Sequence, residues 1–145
     1  MTPNITVRGP FMPMERVDER LRSALAAFFA SRPRFRFTLR RLGRFPATGV
    51  LYLVPEPDEA FHTLRQAIGA RFPGAPPGFF PNPVMHLTVA RCSVEEMEGV
   101  KRAFYRECGG SSPIEATARE VCLFEKRDGV WHKRAAYALA DSSGE

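Results

Sequence analysis

The sequence predicts an α+β fold in which two related strand–helix–strand–strand halves surround a central groove. Three observations predict it. Apolar residues recur at a period of two in some stretches and at three to four in others. The order of those stretches repeats once along the chain. Each half opens on a polar residue, an aliphatic, a threonine and a valine: Asn4-Ile5-Thr6-Val7 and His86-Leu87-Thr88-Val89, 82 residues apart.

The totals suit a single domain. The chain has 145 residues, 44% hydrophobic and 26% charged, which is ordinary for a globular protein. No apolar run reaches the roughly 20 residues of a membrane span, and the first residues carry no secretory signal pattern. The cysteines (Cys92, Cys108 and Cys122) are odd in number and form no C-x-x-C pair. Reduced thiols in a cytoplasmic protein are expected, and their spacing supports no metal site. The net charge is +5, and 18 of the 21 basic residues are arginine. That balance favours an anionic partner, and the planar arginine fork suits phosphate.

Taken in order, residues 4–8 read as a short strand closed by Gly9-Pro10. Met14, Val17, Leu21, Leu25 and Phe28 fall three or four apart, which predicts a helix over 14–31. Phe35, Phe37 and Leu39 alternate with Arg36, Thr38 and Arg40, a half-buried strand with a basic outer face. Residues 43–49 read as a turn and 50–54 as the returning strand, so the pair is a hairpin. Pro55 and Pro57 are expected to break it. Asp58 can cap a helix over about 59–72 with Phe61, Leu64, Ile68 and Phe72 on one stripe. The proline- and glycine-rich run 73–83 forbids regular structure. After the His86 strand, Ser93-x-x-Glu96 is a capping-box pattern, opening a helix that Gly109-Gly110 stops. Ile114 to Phe124 reads as a strand, Arg127-Asp128-Gly129 as a turn, and 130–139 as the last strand. The repeats then span about 3–55 and 84–140, joined by a linker helix and loop over 58–83. Within them, Leu51-Tyr52-Leu53 echoes Ala136-Tyr137-Ala138, and the two tetrads should face each other across the groove.

On a strand, His86 and Thr88 share one face while Met85, Leu87 and Val89 take the other. Asn4 and Thr6 share a face likewise. An imidazole can give or take a proton near neutral pH, and a hydroxyl two residues on can donate to a phosphoryl oxygen. That chemistry suits cleaving a phosphodiester, above all a strained cyclic one. The paired tetrads, the Arg8-Gly9-Pro10-Phe11 continuation, the Gly49–Leu53 strand and the Glu120–Glu125 strand resemble the 2H phosphoesterase superfamily. Within it, the chain is most similar to the 2′-5′ RNA ligase-like proteins, which include RNA 2′,3′-cyclic phosphodiesterases. The resemblance runs from Pro3 to Leu139. It implies a bilobal fold with antiparallel sheets, a groove holding two H-x-T-x motifs, and no metal or other cofactor. It further implies an RNA or nucleotide partner with a 2′,3′-cyclic or 2′-5′ phosphodiester, and no membrane partner.

Carried across, His86, Thr88, Thr6 and Asn4 are the candidate catalytic residues. Arg8, Phe11, Tyr52 and Phe80 are candidates for holding substrate. Arg8 shares a face with Asn4 and Thr6. Phe80 and Tyr52 can equally serve as packing. Two departures stand out. Asn4 occupies a position that is histidine in the family, and an amide cannot shuttle a proton. Family members also place a strand and a helix before the first motif, which here begins at residue 4; a fragment, a late start codon or a trimmed family member each fit. The expected activity is a metal-independent phosphodiesterase impaired at Asn4. The alternative is a nucleotide- or RNA-end-binding protein that kept the groove and lost the chemistry.

Overall fold

A computed structural model describes residues 4–9, 11–74, 83–107 and 113–141. Among these residues, three α-helices and six strands follow in the order α1 (Glu19–Ala30), β1 (Phe35–Phe45), β2 (Val50–Glu56), α2 (Glu59–Arg71), β3 (Leu87–Arg91), α3 (Met97–Glu107), β4 (Ile114–Ala118), β5 (Glu120–Arg127) and β6 (Val130–Ala138). The sheets are antiparallel: one of four strands ordered β3-β2-β1-β4 and one of two, β5-β6. No described helix is long and apolar enough to cross a membrane.

The predicted first helix divides in two. Met14–Arg16 forms a 3₁₀ turn, and α1 begins only after Asp18, whose carboxylate accepts from the Leu21 N–H at 2.9 Å. This cap satisfies an amide at the start of the helix that has no partner within it. Leu25 and Phe29 are buried on its inner side. The α2 stripe follows the sequence reading, with Phe61, Leu64, Ile68 and Phe72 all buried. Leu25, Phe29, Leu64, Ile68, Phe72, Tyr137 and Leu139 form one core cluster, so α1 and α2 cover the inner face of the β5–β6 ribbon. Phe61 also packs edge-on to Phe35 and Phe37, which carries the core across to β1.

The β1–β2 hairpin is longer than the sequence suggests. β1 runs through Gly43 to Phe45, and Pro55 sits inside β2, fully buried and paired with Leu39. Tertiary burial of its ring outweighs the lost ladder hydrogen bond. Gly49 turns the hairpin with a positive φ, and a Cβ there would collide with the carbonyl oxygen of Cys92. The Ser93–Glu96 pattern forms only in part: the Ser93 N–H (3.1 Å) and hydroxyl (2.8 Å) both donate to the Glu96 carboxylate, which holds that acid below its usual pKa, but the Glu96 N–H bonds the Ser93 carbonyl oxygen and α3 begins only at Met97, after a turn over 94–96. The helix stop expected at Gly109-Gly110 lies outside the described residues.

Two expectations need correction. Ile114–Phe124 is not one strand. It breaks at Arg119, so that β4 joins β1 and β5 joins β6. The two halves therefore do not form one sheet each. The four-stranded sheet takes β1 and β2 from the first repeat and β3 and β4 from the second. The two tyrosines of the echo are both buried but meet different neighbours. Tyr137 stacks on Phe29 within the core at 5.8 Å, whereas Tyr52 lies beside His86.

Candidate functional site

Alternation around His86 holds as read. Met85 is 1% exposed, Leu87 pairs with Leu53 on the core face, and Thr88 pairs with Tyr52 on the opposite face. His86 precedes β3 by one residue, on the same face as Thr88. Its Nδ1 lies 2.8 Å from the Val84 carbonyl oxygen. A carbonyl only accepts, so Nδ1 carries the hydrogen, and in its neutral form the ring presents the bare lone pair of Nε2.

Two rings set the imidazole's orientation. Phe45 stands perpendicular to it at 5.2 Å and Tyr52 edge-on at 5.4 Å, while Phe45 and Tyr52 stack on each other at 4.3 Å. Gly43 makes this possible. It is the register partner of Tyr52, and a Cβ there would collide with Cε2, Cζ and the hydroxyl of the tyrosine. The sequence reading missed Phe45 and Gly43 because it assigned 43–49 to a turn. Alternation carried on from Phe35, Phe37 and Leu39 would have put them on the wrong face, because the register shifts between Leu39 and Leu42 and turns Gly43 and Phe45 toward Tyr52.

The first tetrad is set beside the second by an antiparallel bridge between Ile5 and Leu87. The predicted strand 4–8 is reduced to this bridge, and residues 7–9 bend away. An antiparallel register through Ile5 and Leu87 sets Asn4 opposite Thr88 and Thr6 opposite His86, all four on the face away from Met85. The two motifs are thus neighbours side by side, not opposed across a gap as expected. Asn4 and Thr6 are exposed, and His86 and Thr88 are half-buried, so a small ligand can reach them.

The candidate substrate-binding residues separate. Tyr52 is at the site. Arg8 lies against α2, its Nη1 3.1 Å from where a Cβ on Gly69 would stand. Burial, followed by the like charge of Arg65, lowers its pKa. Phe11 is not on this face: its ring packs edge-on to Phe72 at 6.0 Å, against the core cluster, because the bend after Val7 turns it inward. Phe80 lies outside the described residues.

A model of the 2′-5′ RNA ligase superfamily matches residues 2–130. The chain belongs to that superfamily. Two solved structures resemble this superfamily member in fold. One is a crystal structure of a phosphoesterase, 17% identical, with a TM-score of 0.51, covering 86% of this chain and 71% of that one. The other is E. coli LigT complexed with 3′-AMP, 17% identical, with a TM-score of 0.51, covering 85% and 71%. No curated protein matches the sequence. Superfamily membership and the shared α+β fold with antiparallel sheets bear out the sequence-based resemblance.

Proposed function

We propose that this chain is a phosphodiesterase for 2′,3′-cyclic or 2′-5′ linked nucleotide and RNA ends. The observation that carries the proposal is the Ile5–Leu87 bridge, which gathers one imidazole, two hydroxyls and one amide on an accessible face. In hydrolysis of a cyclic phosphate, Nε2 of His86 takes a proton from water as the water oxygen bonds to phosphorus. Thr6 and Thr88 donate to the non-bridging oxygens as charge builds there. The bond from phosphorus to one ribose oxygen breaks, and that oxygen must gain a proton. Asn4 can hydrogen-bond the leaving oxygen but has no proton to yield, so solvent supplies it. Lacking that second acid slows the step by about 10²–10⁴. Because LigT takes 3′-AMP, a 3′-phosphorylated nucleoside is the natural product-like ligand to try.

The test measures 2′,3′-cyclic nucleotide hydrolysis, with and without chelator, alongside calorimetric binding of 3′-AMP. Slow turnover that ignores chelator supports the reading. Binding without turnover makes the chain a nucleotide-binding relative of the enzymes. Absence of both overturns the proposal.

A further inference from the structure

The face that carries His86 continues beyond the four side chains. On β2, Tyr52, Val54 and Glu56 point the same way, so Glu56 lies on this face about 13 Å further along the strand. Glu56 is paired with Thr38, Thr38 with Glu115, and Arg36 with Thr117. Together with Arg119 these residues line a polar recess of about 580 Å³. Its charges are unevenly engaged. Glu56 accepts from Arg41 at 3.0 Å, which neutralises it. Among the described residues neither Arg36 nor Arg119 has an ion-pair partner, and the Thr38 and Thr117 hydroxyls have no hydrogen-bond partner. Of the two carboxylates lining the recess, Glu56 is paired with Arg41, and the exposed Glu115 has no ion-pair partner among the described residues. Two arginine forks beside two hydroxyls are the donors a phosphate takes.

We propose that this recess binds a second phosphate of the substrate, two nucleotides along an RNA strand whose end is held at His86. This rests on the function proposed above and adds a length preference: the protein selects oligonucleotide ends over mononucleotides. The contacts are to backbone phosphate, so the preference is indifferent to base sequence and sensitive to salt.

The test compares binding of a 3′-phosphorylated trinucleotide with that of a 3′-phosphorylated mononucleotide, using the full chain. The trinucleotide should bind about tenfold tighter. The Arg36→Ala/Arg119→Ala double variant should remove that advantage and leave mononucleotide binding unchanged. Its salt slope for the trinucleotide should fall by about 0.7 per arginine. Glu115→Gln should tighten the trinucleotide alone, by about twofold. Equal binding of the two ligands, or parallel losses for both in the double variant, overturns the recess while sparing the His86 site. If neither ligand binds, the functional reading fails and the recess proposal falls with it.

Discussion

The two copies of the tetrad are neighbours, yet they are built differently. The second runs into a five-residue strand paired along β2, with its ring fixed by the Val84 carbonyl, Phe45 and Tyr52. The first is joined to the second by one bridge, after which the chain bends and Val7 turns into the core. An imidazole catalyses well only when its tautomer and direction are held. Here one copy supplies that holding. On the proposed function the other supplies only polar contacts, for which asparagine is sufficient. The asymmetry in residue type at Asn4 and His86 is matched by an asymmetry in scaffold.

His86→Ala should break this picture most sharply. Turnover of a 2′,3′-cyclic nucleotide should fall by about 10²–10⁴ while 3′-AMP binding changes little. Persistent turnover would move the chemistry elsewhere. Gly43→Ala tests the scaffold itself. The added methyl displaces Tyr52, which should destabilise the fold by about 1–3 kcal/mol in chemical denaturation and slow turnover through the unseated imidazole. Gly99→Ala in α3 is its counterpart. Nothing lies near a Cβ there, and the helix should gain about 0.5–1 kcal/mol. Asn4→His sharpens the comparison from the other side. Restoring an acid should raise kcat by about 10², the low end for a placed acid. A larger gain would show that the single bridge orients a side chain as well as β3 does.

The smallest effect concerns the Ser93–Glu96 pair that follows β3. Hydrogen bonds from Ser93 depress the Glu96 pKa, so the stability they provide is full above the ordinary carboxylate pKa and is lost as pH falls through the depressed one. The Tm difference between wild type and Ser93→Ala should therefore shrink on acidification. A difference independent of pH would mean the pair contributes nothing through ionisation.

Much of the fold was legible locally. The α2 stripe, the turn at Asp128-Gly129 and the alternation through Met85, His86 and Thr88 all depend on neighbours within one turn or one strand. The break at Arg119 was not legible, because residues 114–118 and 120–127 share one strand-like pattern and only their partners differ. Pro55 misled for a related reason: its place within a buried strand depends on the core beneath it. Phe11 carries no local mark that separates a groove wall from a core plug.

By itself the sequence determined which residues the proposed chemistry draws on, since His86, Thr88, Thr6 and Asn4 are picked out by type and by spacing of two. It also determined which face of each strand they occupy, because side-chain alternation is a property of the backbone. Tertiary structure alone decided that the two faces meet at the Ile5–Leu87 bridge, that Phe45 and Tyr52 close on the imidazole over Gly43, and that Arg36, Thr38 and Arg119 extend the same surface. Those facts rest on contacts between residues tens of positions apart, whose pairing is selected by burial of the whole core rather than by any local preference.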